Sequence, residues 1–318
     1  MTKNIKLFFI AILLSLPFWW GVNILQRNLE DFFYTKQMEN NAPHVFLAQI
    51  SNTSEETENI EIAQEIPFFE AESVISVLVT EKGEERILFK KAEDKKLPVA
   101  SITKLLTAIV ANEFYYPSLR VQITQDAIRQ EGEFGNLKIG EILKVDDLIK
   151  IMLIESSNDA AYALAEAIGS EGFTNLMNLK AKDIGLENSY FFNQTGLDSN
   201  LPPQKINYST AQDLVKLARY LLKNNLFLDI LSKKEYTLYL DNGVLHHTLK
   251  NTNEILGEIP EIIGGKTGWT ETAGGCLFII LEAKKPKNYI INVILNSPQR
   301  FEEMRKLIDF SLENSTRI

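Results

Sequence analysis

Ala100-Ser101-Ile102-Thr103-Lys104-Leu105-Leu106-Thr107-Ala108 is the stretch from which the rest of the chain is read. Residues three apart on a helix share a face, so the Ser101 hydroxyl and the Lys104 amine can meet. Pro98 stands just upstream, and an apolar-periodic run follows: Leu105, Leu106, Ala108, Ile109 and Val110. That pattern puts Ser101 near a helix N-terminus, where backbone N–H groups lack partners within the helix and can hold an oxyanion. Serine and lysine in that relation can serve as nucleophile and base. The same residues also fit an N-cap serine followed by a solvated lysine, and Ser-x-x-Lys turns up by chance in a chain this long. The decision lies elsewhere in the sequence.

The 318 residues allow one large domain or two modest ones with a buried core. Net charge is −9 and there is no basic stripe, which argues against nucleic acid as a partner. The one cysteine, Cys276, excludes an intrachain disulfide and a thiolate zinc site. It sits in Gly-Cys-Leu-Phe-Ile-Ile and reads as a buried strand residue. At the N-terminus, Lys3 and Lys6 precede a charge-free apolar stretch from Leu7 to Leu25, with Trp19 and Trp20 suited to the far interface. At ~1.5 Å per residue that stretch nearly crosses a ~30 Å hydrocarbon core. Residues 1–6 are therefore expected in the cytoplasm, 7–25 as an uncleaved transmembrane signal-anchor, and the remainder outside. A cleaved signal peptide with Leu7–Leu16 as its apolar region is the alternative, although no Ala-x-Ala-like site follows it.

Residues 26–70 read as an acidic stalk: Gln37 to Glu81 holds no Lys or Arg, and Glu55, Glu56, Glu58, Glu61 and Glu65 lie among Asn, Ser and Thr. The folded part is expected over 71–318. Ser73–Thr80 and Arg86–Lys90 read as strands around a Lys82-Gly83-Glu84 turn. Residues 122 to about 232 are helical in pattern, with segments Val145–Leu153, Ala160–Ile168, Phe173–Ile184 and Ala211–Lys223. Tyr236–Leu249 has β character around Asp241-Asn242-Gly243. Strands return at Ile262–Trp269, Gly275–Ala283 and Tyr289–Leu295, and a helix, Phe301–Glu313, follows. Short turns join consecutive strands antiparallel. The fold class is α+β: an antiparallel β-sheet flanked by helices, with an inserted, mostly helical subdomain and a cleft between the two.

Two further motifs bear on Ser101. Ser156-Ser157-Asn158 lies between helical segments, where a short polar turn can aim the Ser156 hydroxyl and the Asn158 amide in one direction; a plain helix N-cap is the other reading. Lys266-Thr267-Gly268, inside Ile-Ile-Gly-Gly-Lys-Thr-Gly-Trp-Thr, brings a cation and hydroxyls to a strand. Gly268 has no Cβ, which suits the close approach of a substrate backbone as an added strand. A phosphate-binding loop is rejected there, because the glycine it requires five residues before Gly265 is Pro260.

In the order Ser-x-x-Lys, Ser-x-Asn, Lys-Thr-Gly, the motifs resemble those of the penicillin-recognising serine enzymes. Within that class the chain is similar to the D-alanyl-D-alanine carboxypeptidases, the low-molecular-mass penicillin-binding proteins. Ser157-Asn-Asp-Ala-Ala, Asn193-Gln-Thr-Gly-Leu-Asp and Ala273-Gly-Gly-Cys-Leu add to the likeness, which covers roughly 71–312. The resemblance implies a β-lactamase/transpeptidase-like fold. It implies that Ser101 attacks the carbonyl between two terminal D-alanines of a peptidoglycan stem peptide, with Lys104 as proton acceptor. Ser156 would relay a proton to the leaving amine. Asn158 would hold the substrate amide and orient the lysine. Lys266, Thr267 and Thr270 would bind the terminal carboxylate beside Gly268, and the N–H groups of Ser101 and Trp269 would form the oxyanion hole. β-Lactams are implied as covalent inhibitors, and no metal or cofactor is needed.

A lysine with an ordinary pKa near ~10.4 is no base at neutral pH. Lys104 must therefore be depressed by burial, by its helix or by Lys266. Ser157 stands where many relatives have glycine, and as a spacer it is expected to matter little. Many carboxypeptidases of this type carry a further β-rich domain and a C-terminal amphipathic helix. With the sequence stopping soon after Glu313, the N-terminal anchor is expected to replace that attachment. No Glu-x-x-Leu-Asn follows the second motif, so β-lactam acylation should be long-lived. A D,D-endopeptidase acting on wall cross-links and a non-catalytic penicillin-binding sensor remain as alternatives. A Ser-His-Asp hydrolase is set aside, since Gly-x-Ser-x-Gly is absent and adjacent His246 and His247 on a strand should face opposite ways.

Overall fold

The β-branched run Ser73–Val79 (β1) is buried at every residue, because it lies inside a sheet that is covered on both faces. The computed structural model describes residues 66–132, 135–199 and 204–316. After β1 come β2 (Glu85–Lys91), β3 (Leu97–Pro98), a 3-10 turn (Ala100–Ile102), α1 (Thr103–Phe114), β4 (Arg120–Gln122), α2 (Gln125–Ile128), β5 (Ile142–Lys144) and α3 (Val145–Ile154). Then follow α4 (Asn158–Glu166), α5 (Ser170–Ile184), β6 (Tyr208–Ser209), α6 (Ala211–Leu221), α7 (Asn225–Leu231), β7 (Glu235–Tyr239) and β8 (Leu245–Lys250). The last elements are β9 (Ile262–Thr270), β10 (Gly274–Glu282), β11 (Tyr289–Ser297) and α8 (Arg300–Asn314). These described residues belong to one folded unit, Gln64–Ile318.

The main sheet runs β2-β1-β11-β10-β9 and every pairing is antiparallel. Its strands obey the two-residue period. Cys276, Phe278 and Ile280 point to the face shared with α1, while Leu277, Ile279 and Leu281 point to the face covered by Met304, Leu307 and Ile308 of α8. Two buried faces explain why β1 and β10 read as unbroken apolar runs rather than alternating ones. Helix α1 is buried from Thr103 through Ala111. It is the central helix of the inserted block, packed on α3, α4 and α5. A helix buried on all sides carries little amphipathic signal, so its start is marked in the sequence by the flanking residues and not by its period.

This is the α+β architecture expected. The small pairs β3–β6 and β4–β5 and helices α2 and α7 were not read from the sequence; each is too short for a periodic pattern. Residues 1–65, and with them the expected cytoplasmic end, anchor and most of the stalk, lie outside the described residues. Among the described residues, no helix is long and apolar enough to cross a membrane.

One expectation is overturned in the hairpin β7–β8. Leu238 pairs with His247 but Tyr239 pairs with Leu245, so His246 is the extra residue of a β-bulge. A bulge interrupts the alternation of side chains. The imidazoles of His246 and His247 therefore lie together, with ring centroids 4.7 Å apart, instead of facing opposite ways.

Candidate active site

The residue before Ser101 sets its pose. Ala100 takes φ of 44°, a left-handed conformation uncommon outside glycine, and opens the tight 3-10 turn that carries Ser101 into α1. Helix α1 then places Lys104 one turn on, as the spacing required. The lysine is fully buried, so a solvated lysine is excluded. The turn at Ala100 is held by Gly196: a Cβ there would lie 2.0 Å from the Ala100 carbonyl oxygen, so only glycine fits.

Lys104 Nζ has three neighbours: Asn158 Oδ1 at 2.6 Å, the Thr195 carbonyl oxygen at 2.6 Å and Ser101 Oγ at 2.8 Å. Carbonyl oxygens only accept. The Asn158 amide is oriented by its other end, where Nδ2 donates to the Glu131 carbonyl oxygen at 2.6 Å. Burial pushes the Lys104 pKa well below its ordinary value, and the positive charge of Lys266 adds to this. A neutral amine has two hydrogens and one lone pair. The two carbonyl oxygens take the hydrogens, and the lone pair is left for the Ser101 hydroxyl proton.

The second motif bends sharply before α4. Ser156 takes φ of 64°, and its Oγ accepts from Lys266 Nζ at 2.8 Å. Ser157 is the N-cap of α4, its Oγ accepting from Ala160 N at 3.1 Å. It is fully buried. The expectation that Ser157 is a mere spacer is thereby corrected: it satisfies an otherwise orphaned helix donor.

Strand β9 brings Lys266 across from the sheet. Lys266 is buried, and desolvation, with the nearby Arg300 guanidinium, lowers its pKa to about 7. Besides Ser156 it donates to the Thr267 carbonyl oxygen at 3.1 Å. Gly268 does admit a close backbone, but that backbone is the chain's own: a Cβ would stand 3.0 Å from the Val99 oxygen and 3.1 Å from the Ser101 nitrogen. Glycine here seats β9 against the turn that carries Ser101. Trp269 is 62% exposed beside a cavity of about 650 Å³ that Arg300 also lines. Thr270 Oγ1 accepts from Ala273 N at 3.0 Å in the β9–β10 turn.

The structure thus brings Ser101, Lys104, Ser156, Asn158, Lys266, Thr267 and Gly268 into one contiguous network. Other contributors escaped the sequence reading. Thr195 supplies the carbonyl that fixes Lys104, and Asn193 shapes its loop by accepting from Thr195 N and Gly196 N at 3.1 and 2.7 Å. The phrase Asn-Gln-Thr-Gly was the available signal, but backbone acceptors leave no mark of residue type. Thr252 meets Thr267 Oγ1 at 2.6 Å and donates its N–H to the Ile154 carbonyl oxygen at 3.2 Å, tying β9 to the end of α3. Arg300 donates to the Gly268 carbonyl oxygen at 2.8 Å.

A serine hydroxyl 2.8 Å from a buried lysine whose pKa is pushed down, at the junction of an antiparallel sheet and a helical block, is the arrangement of lysine-assisted serine peptidases. Residues 61–299 match the family described as D-alanyl-D-alanine carboxypeptidase, and the chain belongs to that family. It is 31% identical over 246 residues to a D-alanyl-D-alanine carboxypeptidase of Bacillus subtilis, covering 74% of this chain but only 61% of that protein. It is 35% identical over 224 residues to a D-alanyl-D-alanine endopeptidase of Haemophilus influenzae, covering 69% of this chain and 74% of the relative. Among solved structures it resembles the ampicillin-bound form of penicillin-binding protein D2 from Listeria monocytogenes, at 28% identity and a TM-score of 0.64, covering 78% of this chain and 99% of that one.

Proposed function

We propose that this protein is a serine-type D-Ala-D-Ala carboxypeptidase that trims the terminal D-alanine from peptidoglycan stem peptides through an acyl-enzyme. The carrying observation is the hydrogen-bond count at Lys104, which leaves its lone pair facing Ser101 Oγ. Ser101 Oγ attacks the carbonyl carbon between the two D-alanines while its proton passes to Lys104. The oxyanion that forms is held by the N–H groups of Ser101 and Trp269, donors of a kind whose individual loss typically costs ~10²–10³ in rate. The C–N bond then breaks. The leaving amine takes a proton through Ser156, which Lys266 holds in place, and free D-alanine departs. Lys104, having passed its proton through Ser156 to the leaving amine, then takes a proton from water, whose oxygen attacks the acyl carbon and releases the shortened peptide from Ser101.

Lys266, Thr267 and Thr270 receive the terminal carboxylate. Lys266 is half-protonated near neutrality, so its charge is available where a carboxylate binds and completes it. β-Lactams acylate Ser101 and persist, in keeping with the ampicillin-bound Listeria relative. The segment 7–25 anchors the protein in the cell membrane with the enzyme outside, and its charge-free apolar composition supports this. Cleavage within cross-links is the second reading, favoured by the endopeptidase name of the Haemophilus relative.

Fluorescent penicillin should label the wild-type protein covalently and leave Ser101→Ala unlabelled. Equal labelling of the two would remove Ser101 as nucleophile. Mass spectrometry of native muropeptides after incubation should show loss of one alanine from pentapeptide stems. Dimers falling to monomers with the pentapeptides intact would select the endopeptidase.

A further inference from the structure

Ser156 sits in a left-handed conformation that only its surroundings can hold a serine in. The residue before it, Glu155, ends α3 and is gripped by the hairpin β7–β8. Its carboxylate accepts from Lys250 N at 3.4 Å and lies 2.9 Å from His247 Nε2. The chain of contacts continues. His247 Nδ1 is 2.5 Å from His246 Nδ1, and His246 Nε2 is 3.0 Å from Glu141 Oε1. The side chains are 16% or less exposed throughout.

Three hydrogen bonds in a row, carboxylate–imidazole–imidazole–carboxylate, require three protons. Two neutral imidazoles carry one each, and ionised carboxylates none. The arrangement therefore holds one proton more than two neutral rings. Without it, one of the three contacts would set a bare nitrogen lone pair against another acceptor, either the second imidazole or a carboxylate. A zinc ion in its place, with Zn–N of ~2.0–2.1 Å in tetrahedral geometry, would hold the nitrogens about 3.3 Å apart. The gap suits a proton. The other charges on the packed elements are engaged elsewhere: Arg120 and Lys144 hold Asp241 at the hairpin tip, and Lys150 holds Asp146. Asp147, also on α3, faces Lys150, Lys144 and Asp241.

We propose that His246 and His247 form a one-proton latch that fixes the hairpin on Glu155 and so positions the Ser156 turn for catalysis. The latch is closed while the shared proton is bound and opens as pH rises. Histidine is the side chain suited to such a change between pH 5 and 8. The catalytic consequence rests on the proposed reaction of Ser101; the proton count does not. His246 and His247 are positioning residues, remote from the reacting atoms except through Glu155 and the turn.

The test uses the full chain. Long-range 1H–15N NMR of labelled histidine at pH 6 should show both Nε2 nitrogens protonated and one proton shared between the two Nδ1 nitrogens, lost in a single step on raising pH. The rate of penicillin acylation from pH 5.5 to 9 should fall through a matching step. His246→Phe should acylate on the order of tenfold more slowly at low pH, as expected for a displaced catalytic turn, and should keep only the fall that follows Lys266 near pH 7, without the step that matches the histidine protons. Glu141→Gln keeps an acceptor for His246 but removes a negative charge, so its step should move to lower pH, a change that a purely structural role does not produce. Two rings titrating independently, or superimposable pH profiles for wild type, His246→Phe and Glu141→Gln, would overturn the latch. If no protein acylates, the proposed function fails, and the NMR arm still decides the latch.

Discussion

In the proposed reaction Lys104 can act as a base because the fold lowers its pKa. Burial disfavours the ammonium form, and Lys266 opposes it further. That arrangement works against stability at neutral pH, and the sign is definite. The unfolded chain keeps a proton at this position up to ~10.4 and the folded chain gives it up at lower pH, so stability rises with pH between the two. Lys104→Met should therefore abolish penicillin acylation yet melt at or above the wild-type temperature at pH 7, with a flatter rise in melting temperature toward pH 9. Lys266 acts in the opposite sense. It is charged below about 7 and loses charge above it. KM for a substrate ending in a carboxylate should rise as pH passes through about 7, and steady-state kinetics between pH 6 and 8.5 read this directly. The candidacy of Ser101, Lys104, Ser156, Asn158 and Lys266 was legible because each is a chemically distinctive side chain at a distinctive spacing. Thr195 was not, because what it contributes is a carbonyl oxygen that every residue possesses.

At the level of elements, the site depends on how helices start and loops close. Ser157 caps α4. Ser157→Ala should lower stability by about 1 kcal/mol, whereas Ser157→Gly should cost only a few tenths. Urea denaturation of the two variants measures the difference, and its direction accounts for glycine being acceptable at this place. Gly196 closes the loop that delivers the Thr195 carbonyl, at φ of 86° and with no room for a Cβ against Ala100. Gly196→Ala should either reduce the yield of folded protein or, where folded, slow acylation by displacing both Thr195 and the Ser101 turn. Circular dichroism together with penicillin labelling distinguishes the two outcomes. Long elements were readable: α5 because burial of one face repeats along it, and β10 as an unbroken apolar run of strand length. The bulge that turns His246 and His247 to one side was not readable, since a single inserted residue changes which face a side chain takes without changing composition.

Across the whole molecule, the active site is a meeting of three segments whose only connection is the fold: the start of α1, the α3–α4 turn and β9. A β-lactam bound to Ser101 and touching all three should stabilise the native state specifically, since the unfolded chain offers no such site. Acylation should raise the melting temperature of the wild type and leave Ser101→Ala unchanged in calorimetry. By itself, the sequence determined the local choices: which runs are strands or helices, that the ends of the folded part pair in one antiparallel sheet, and which side chains have the chemistry for acyl transfer. These follow from short-range sterics and from the periodicity of apolar residues. Only the tertiary structure decided that Lys104 is buried enough for its pKa to be pushed well down, which oxygens surround its amine, and that Gly268 meets the backbone of Ser101. Desolvation and hydrogen-bond partners are set by atoms far away along the chain, and no local pattern encodes them.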